Sequence, residues 1–288
     1  MATDFTEEGA ADAVIESFAG TPDERLQTIL DSLVRHLHAA VREVEPSLTE
    51  WEQAIEFLTA TGQKCTDVRQ EFILLSDVLG ISMLVETISE RGAAGATQST
   101  VLGPFHMTSS PARELGANID LVGESQPCVV IGRVVGTDGT PQPGATLDVW
   151  QANDHGAYDV QEPDQQPDGN GRGLFTTDAE GRFWFRTIVP SYYPIPTDGP
   201  VGELLAATRR HPYRPAHIHF IVAADGYRTL TTHIFVGGSE YIDSDAVFAV
   251  KKSLVTDFVE VDDPALAAQY QVSNPFRLAD VQIALSKD

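Results

Sequence analysis

From Gly95 onwards the chain alternates between short β-branched runs and turn dipeptides, and this alternation constrains its fold more than any other feature. Proline, glycine and aspartate interrupt each run before it reaches helical length, so the region predicts short strands joined by turns. Such strands, without intervening helices, are typical of an antiparallel β-sandwich. The polar stretch 161–173 predicts a surface loop. The predicted strands are CVVIGRVVG (128–136), ATLDVW (145–150), GRFWFRTIV (181–189), HIHFIVAA (217–224) and YRTLTTHIFV (227–236).

The first 95 residues predict helices instead of strands. Capping boxes at residues 21–24 and 47–50 indicate two helix starts, and the first is followed by apolar residues at helical spacing. Residues 71–88 are apolar on nearly every side, which indicates a helix buried against other elements or a partner chain. We therefore expect a mainly β protein with two domains, a helical domain over 1–100 and a β-sandwich domain over 101–288.

Charge and composition exclude several classes of protein. The chain of 288 residues carries 19 basic and 42 acidic side chains, so its net charge of −23 disfavours nucleic acids and anionic membrane surfaces. Cys65 and Cys128 form no CxxC pair and predict reduced thiols. The N-terminus shows no export signal, and no apolar run approaches the roughly 20 residues of a membrane span. These features predict a cytoplasmic protein.

The run RPAHIHFIVA (214–223) places two histidines on one side of a predicted strand. Alternate strand residues face the same way, so His217 and His219 project together and supply half of a transition-metal site. An isolated HxH pair is also compatible with one solvent-facing and one hydrogen-bonded core histidine. Further donors must therefore decide between a metal site and a structural pair.

Tyrosines supply the further donors. Tyr158 follows one predicted strand, and Tyr192 and Tyr193 follow another. A phenol with a pKa near 10 ligates a metal at neutral pH only if the cation is strongly Lewis acidic, which favours iron(III) over zinc. Each tyrosine alone is equally compatible with the core. Arg214, at the head of the histidine strand, is either a surface cation or a group that stabilises negative charge on a substrate.

These motifs together resemble the intradiol ring-cleaving dioxygenases of the catechol 1,2-dioxygenase type. The similarity rests on VWQANDHGAY (149–158), VPSYY (189–193) and RPAHIHF (214–220), and it covers nearly the whole chain. It implies one non-haem Fe(3+) per subunit, held by Tyr158, Tyr193, His217 and His219. Tyr193 is preferred to Tyr192 because the family places this ligand 24 residues before the first histidine.

The resemblance also implies catalytic and substrate-binding residues. Arg214 and Tyr193 occupy catalytic positions of the family, and His233 stands where catechol-cleaving members have glutamine. The segments EFILLSDVLGISMLV and YIDSDAVFAVKKSL resemble the hydroxyquinol 1,2-dioxygenase branch. Asp77 is then expected to hydrogen-bond the third substrate hydroxyl, although neighbouring protein donors are an alternative. The implied pocket residues are Leu74, Asp77, Val101, Leu102, Gly103, Pro104, Phe105, Ile195, Pro196 and Val247.

By this resemblance the chain is expected to cleave benzene-1,2,4-triol (hydroxyquinol) with both atoms of O2, giving 3-hydroxy-cis,cis-muconate and maleylacetate. One alternative is a catechol or chlorocatechol 1,2-dioxygenase that gives cis,cis-muconates. Another, from a different class, is a metal-free sandwich that acts as a binding module, which metal analysis would distinguish. Family members are commonly homodimers joined through the helical domain, often with a lipid-like molecule, so we expect a homodimer with bound phospholipid.

Overall fold

The computed structural model describes residues 4–66, 69–106, 110–123 and 125–288. The chain divides into two compact units, Met1–Ala60 and Thr61–Asp288. In the described residues it forms seven α-helices and eleven β-strands. The helices are α1 (Ala10–Ser17), α2 (Glu24–Val44), α3 (Leu48–Lys64), α4 (Glu71–Val78), α5 (Ile81–Ser89), α6 (Pro200–Ala207) and α7 (Pro264–Tyr270).

The first helix boundaries follow from side-chain caps. The predicted capping box at Ser47 is confirmed, since Ser47 N donates to Glu50 Oε2 at 2.8 Å and Glu50 N to Ser47 Oγ at 3.3 Å. The predicted cap at Thr21 is wrong. Asp23 caps α2 instead, because its carboxylate accepts from the amides of Arg25 and Leu26, the second and third residues of the helix. A carboxylate at this position also interacts favourably with the helix dipole.

The segment 71–88 forms two helices, so the prediction of one helix is wrong. Gly80 lies between α4 and α5 with φ at +72°, a left-handed conformation that ends the first helix. The two axes differ by 76°. The bend brings α4 residues such as Leu74 and Asp77 into the second unit's interior, where both are buried.

Among the described residues, no single helix is long and apolar enough to span a membrane. Helices α4 and α5 reach that length and hydropathy only together, across their bend.

Four strands form the first sheet of the second unit, in the order β10-β11-β1-β4. Strand β1 is antiparallel to β4 and parallel to β11. The C-terminal strand β11 was not anticipated from the sequence, although it pairs with β1 over nine residues. The strands are β1 (Pro127–Gly136), β4 (Arg182–Ile188), β10 (Val259–Val261) and β11 (Phe276–Leu285).

The second sheet has five strands in the order β3-β2-β7-β8-β9, and a separate two-stranded sheet pairs β5 with β6. All pairs are antiparallel except β8 with β9. The strands are β2 (Thr146–Gln151), β3 (Arg172–Thr176), β5 (Tyr193–Pro194), β6 (Tyr213–Arg214), β7 (His217–Ala223), β8 (Leu230–Val236) and β9 (Val255–Thr256).

The main core lies between the two larger sheets. Val130 and Phe185 of one sheet share a single apolar cluster with Leu147 and Phe220 of the other. The prediction of a mainly β sandwich with a helical N-terminal region is confirmed. Two strand pairs are parallel, because β9 and β11 return to the sheets through connections longer than a hairpin.

The stretch 161–173 is only partly a surface loop. Its last residues turn inward, where Asn170 and Arg172 are buried and Arg172 begins β3. The buried Arg172 side chain forms an ion pair with Asp159 at 2.7 Å. The polar composition that predicted exposure is therefore explained, at this end of the loop, by a paired internal charge.

Candidate metal centre

The outer face of the five-stranded sheet, which faces away from the main core, carries the candidate donors. Alternation along β7 puts Ile218 and Phe220 into the core and leaves His217 and His219 on the opposite face. The strand register aligns four polar or aromatic side chains in one row across the sheet. Arg172 pairs with Trp150, Trp150 with His219, and His219 with His233.

Two short segments bring the tyrosines to this face. Asn153, just after β2, accepts hydrogen bonds from the amides of His155 and Ala157, and this turn delivers Tyr158 above β7. Tyr193 lies in β5, directly opposite Arg214 of β6. Both tyrosine side chains are buried.

Four side-chain atoms form a closed ring. Tyr158 Oη lies 3.4 Å from Tyr193 Oη and 3.1 Å from His219 Nε2. His217 Nε2 lies 3.5 Å from Tyr193 Oη and 3.1 Å from His219 Nε2. Ligands about 2.0–2.2 Å from one ion lie about 3.0–3.5 Å from one another at tetrahedral or slightly smaller angles. The ring therefore fits a single metal ion.

One hydrogen bond and two ring stacks hold the donor side chains in place. His217 Nδ1 donates to the carbonyl of Pro215 at 2.7 Å, which leaves the Nε2 lone pair directed into the ring. Stacking on Trp150 holds the ring of His219 in place, with the two ring centroids 4.4 Å apart and an interplanar angle of 11°. Phe105 stacks in the same way on Tyr158, at 4.6 Å.

Burial favours the neutral forms of His217, His219 and Tyr158 in the absence of a cation. It lowers the pKa of His217 and His219 well below the ordinary value, with further lowering by Arg214 for His217 and by His233 for His219. Burial, followed by the neighbouring Tyr193, raises the pKa of Tyr158 well above its ordinary value. Phenolate ligation thus needs a strongly charged cation, which agrees with a hard trivalent ion.

His233 is the third histidine of the group. It is fully buried, and its ring lies 4.1 Å from that of His219. His233 Nδ1 and Thr100 Oγ1 form a short hydrogen bond. His233 Nε2 has no hydrogen-bond partner among the described residues. One further nitrogen donor is therefore available beside the four-atom ring, and the three histidines offer ligand atoms within 4.8 Å of one another.

Arg214 is the buried cation of the site. Its Nη1 lies 3.3 Å from both Tyr193 Oη and His217 Nε2, and its Nε donates to Asp245 at 3.2 Å. Burial lowers its pKa, but Asp245 and the two tyrosines together raise the pKa above the ordinary value. Arg214 is therefore always charged at this position.

A cavity of about 700 Å³ lies in the second unit, and two of its lining residues, Gly103 and Phe105, lie against His219 and Tyr158 of the donor ring. Gly103 lies in the cavity wall with φ at +77°, and a Cβ there would approach His219 Cε1 to 3.0 Å, so only glycine fits. Eight of the ten predicted pocket residues line the cavity. They are Leu74, Asp77, Val101, Leu102, Gly103, Pro104, Phe105 and Pro196. Ile195 and Val247 are buried but are not among the described residues that line it.

The cavity surface is mostly apolar, and its wall contains two buried carboxyls, Glu71, which is paired with Arg69, and Asp77. Asp77 Oδ1 has no hydrogen-bond partner among the described residues. Burial raises the pKa of Asp77, whereas a hydrogen bond from Ser82 and the charge of Arg214 lower it in part. A carboxyl group with one free oxygen can accept a hydrogen bond from a polar ligand, or donate one to it when protonated.

Sequence reasoning missed several residues that support the site. Arg172 binds Asp159, next to Tyr158, and also donates to the Phe105 carbonyl at 3.0 Å. Asp245 binds Arg214 from a loop 31 residues later in the chain. The sequence offered one signal for such a residue. Trp150 alternates with Leu147 and Val149 along β2, so it is expected on the face opposite to the core, where the site lies.

Two family models match the chain. One, described as "Catechol dioxygenase N terminus", matches residues 23–97, and the other, described as "Dioxygenase", matches residues 103–279. Together they cover most of the sequence.

Individual relatives agree with these matches. The chain is 53% identical to a hydroxyquinol 1,2-dioxygenase from Rhizobium sp., over 94% of this chain and 92% of that protein. It is 50% identical to a 6-chlorohydroxyquinol 1,2-dioxygenase from Cupriavidus pinatubonensis, over 94% and 99%. The crystal structure of a hydroxyquinol 1,2-dioxygenase from Pseudomonas putida superposes with a TM-score of 0.92 at 48% identity, covering 98% of this chain and 99% of that one.

Proposed function

The chain belongs to the intradiol ring-cleavage dioxygenases, and from this membership we propose that it cleaves hydroxyquinol with O2. The product is 3-hydroxy-cis,cis-muconate, which tautomerises to maleylacetate. The observation that carries the proposal is the ring of two phenol oxygens and two imidazole nitrogens beside a cavity in which the buried carboxyl of Asp77 has one oxygen without a partner among the described residues. Relatives named for hydroxyquinol and chlorohydroxyquinol, at 50% identity or more, support the choice of substrate.

Tyr158, Tyr193, His217 and His219 would hold one non-haem iron(III) ion per chain. The ring distances of 3.1 to 3.5 Å and the two buried phenols support this assignment. When bound, iron(III) lowers the pKa of the substrate hydroxyls and withdraws electron density from the ring, which makes it reactive towards O2.

Two residues handle charge and protons at the ring. Tyr193 Oη, between His217 and Arg214, would be a phenolate while it holds the ion and would accept a proton from a substrate hydroxyl as the substrate binds. Arg214 stabilises the negative charge that the substrate acquires, because a buried guanidinium acts at close range in a low dielectric. The ring of His233 packs against the rings of His217 and His219, with centroids 4.7 and 4.1 Å away, and would fix their orientation.

Of the ten residues named for the pocket, the eight that line the cavity would bind the aromatic ring, with Asp77 as the specificity group. Its free Oδ1 would hydrogen-bond the third hydroxyl of hydroxyquinol, which catechol lacks. Without that hydroxyl the buried oxygen stays unpaired, so a catechol is bound less well.

A comparison of three substrates tests the function. Iron-replete protein should show a kcat/KM for hydroxyquinol at least about 10-fold above those for catechol and 4-chlorocatechol, the scale of one hydrogen bond to a charged group. A preference for catechol or 4-chlorocatechol would instead establish the alternative 1,2-dioxygenase. Protein that binds no iron and stays inactive after iron addition would contradict ring cleavage altogether.

The assembly and location of the protein form part of the same proposal. Residues 1–100 would be the helical dimerisation domain and 101–288 the catalytic domain of a cytoplasmic homodimer with phospholipid in its interface. In support, α2 exposes apolar side chains along one face, with Leu37 and Val41 each more than half exposed. Light scattering gives the stoichiometry, and mass spectrometry of a solvent extract gives the lipid. A monomer without lipid would contradict this part.

A further inference from the structure

One carboxylate, that of Asp245, forms an ion pair with the guanidinium of Arg214. Its Nε donates to Asp245 at 3.2 Å, and both side chains are 2% exposed. At the other end of the guanidinium, Nη1 faces Tyr193 Oη and His217 Nε2. The remaining nitrogen, Nη2, is buried and has no hydrogen-bond partner among the described residues. Asp245 therefore determines which guanidinium nitrogen stays available.

Asp245 binds more than the arginine. Its Oδ1 also accepts from Val247 N at 3.3 Å, and its Oδ2 accepts from Ala249 N at 3.0 Å. The loop closes on its own carboxylate, with Phe248 in a left-handed conformation at φ +59°. One carboxylate thus fixes the loop backbone around Val247, a residue implied in the substrate pocket.

The loop is attached to the strand that carries Arg214. Ala246 N donates to the carbonyl of Tyr213 at 3.1 Å, and Arg210 Nη2 donates to the carbonyl of Ala246 at 2.9 Å. Strand β6, which contains Tyr213 and Arg214, pairs with β5, which contains Tyr193. Asp245, Arg214 and Tyr193 therefore belong to one hydrogen-bonded unit.

A buried guanidinium requires a counter-charge. An isolated ion inside a protein is unfavourable by several kcal/mol, and the neutral imidazoles of the site do not compensate it. Among the described residues, Asp245 is the only carboxylate within ion-pair distance of Arg214. Its position is therefore set by charge as well as by hydrogen bonding.

We propose that Asp245 is a positioning residue that aims Arg214 at the substrate. By binding Nε it sets the plane of the guanidinium, so that Nη1 lies against the donor ring and Nη2 remains a free donor for the anionic substrate. The same carboxylate fixes the loop of Val247. The inference rests on the proposed role of Arg214 and adds the residue through which that role depends on the loop.

A double-mutant cycle on the iron-replete protein tests the coupling. Arg214→Ala should lower kcat/KM about 10²- to 10³-fold, as for the loss of one donor to a developing anion. Asp245→Asn keeps an acceptor but removes the charge, and should lower kcat/KM about 10- to 100-fold. The double variant should be no worse than Arg214→Ala alone, because Asp245 acts through the arginine.

Binding under nitrogen gives a readout separate from turnover. The probe is 4-nitrocatechol, whose phenol and phenolate forms absorb at different wavelengths. Asp245→Asn and Arg214→Ala should each weaken its binding about 10-fold and reduce the ionised fraction of the bound probe. A purely structural role for Asp245 would leave that fraction unchanged.

Asp120→Asn is the matched control. Asp120 is also buried and accepts from two backbone amides, Val122 N at 3.3 Å and Gly123 N at 3.0 Å, but forms no ion pair among the described residues. Its substitution should leave kcat/KM and probe ionisation unchanged. If Asp245→Asn does not fold, Asp245→Glu replaces it in the same cycle, since it displaces the carboxylate by one methylene.

The outcomes separate this inference from the proposed function. Losses that multiply in the double variant, or an equal loss in Asp120→Asn, would show that Asp245 acts on the fold and would overturn the inference. An Arg214→Ala variant with unchanged kinetics would instead remove the role proposed for Arg214.

Discussion

The two faces of the five-stranded sheet have opposite chemistry, although the same strands build both. On β7 the inner face presents Ile218 and Phe220 to the main core, and the outer face presents His217 and His219 to the donor ring. Both faces are buried. Burial alone therefore does not distinguish a stabilising face from a functional one.

The difference lies in what each face does to stability. A buried apolar side chain on the inner face contributes roughly 1.5–3 kcal/mol. The outer face instead holds buried polar atoms without partners among the described residues, such as His219 Nδ1 and His233 Nε2. Each such atom is unfavourable by roughly 1–3 kcal/mol. The inner face thus stabilises an outer face that is organised for binding.

The largest effect is expected from the outer face. Tyr193→Phe removes one ring oxygen and should lower kcat/KM at least about 10³-fold, with loss of the tyrosinate-to-iron absorption. The control is Tyr192→Phe, because Tyr192 is 37% exposed and contacts Tyr213 and Tyr241 instead. If only the Tyr192 variant lost colour and turnover, Tyr192 would be the ligand.

The inner face should show the reverse behaviour. Phe220→Ala should lower the free energy of unfolding by roughly 3–5 kcal/mol, because it leaves a cavity in the main core. Turnover per bound iron should change less than about threefold at temperatures where the protein stays folded. Urea unfolding and steady-state kinetics measure the two effects. Phe185→Ala, on the opposite sheet, should behave alike, and a selective loss of activity in Phe220→Ala would break the separation of faces.

Substrate preference is the next effect in size. Asp77→Asn should reduce the preference for hydroxyquinol over catechol about 10-fold, equivalent to about 1.4 kcal/mol, because the amide no longer matches the third hydroxyl. Relative kcat/KM values for the two substrates measure it. Leu74→Met, a volume-conserving change in the same cavity wall, is the control. An unchanged preference in the Asp77 variant would assign the selectivity to the apolar wall.

A smaller effect of opposite sign is expected for His219→Leu in the metal-free protein. The change removes a buried imidazole whose Nδ1 has no partner among the described residues, while Tyr158 Oη and His217 Nε2, which contact His219 Nε2, keep Tyr193 and Arg214 as partners; the free energy of unfolding should therefore rise by about 1 kcal/mol. Thermal unfolding after chelation measures it. A clear loss of stability would mean that the outer face contributes to the fold in its own right.

The smallest effect on stability is expected from Asp198, a carboxylate at the protein surface. Hydrogen bonds from Arg69 and, to a smaller extent, Lys64 lower the pKa of Asp198 to about 2. The side chain of Asp198 is 66% exposed. Because the folded-state pKa lies below the ordinary 3.8, the stabilisation is present above about pH 4 and is lost as the pH falls towards 2. Solvent screening keeps it below about 1 kcal/mol. Asp198→Asn should remove that part of the pH dependence of unfolding: it should lower the free energy of unfolding by less than about 1 kcal/mol above pH 5 and leave it nearly unchanged near pH 2.

Much of the fold could be predicted because its signals are local. The alternation of HIHFIVA places its side chains on two faces, and all five predicted strands are present. Local signals also compete, as at the start of α2, where Asp23 caps the helix in place of Thr21. Gly80 shows the same limit, because an apolar run gives no sign of the bend that its left-handed backbone allows.

The candidate site was predicted only in part. Tyr158 and Tyr193 were assigned through family resemblance, since nothing in the spacing of two tyrosines indicates that their oxygens lie 3.4 Å apart. Arg172 lies in a stretch whose composition indicated exposure, yet it is buried against Asp159. A single buried charge has no periodicity, so sequence patterns cannot identify its partner.

The sequence by itself determined five of the eleven strands in the described residues and which side of each strand their residues occupy, because those properties depend on neighbours within a few positions. Only the tertiary structure decided the register that aligns Arg172, Trp150, His219 and His233 across four strands. It also decided the pairing of Arg214 with Asp245. Such contacts join distant parts of the chain, and they are selected by the packing of the whole sheet and by the need to compensate buried charge.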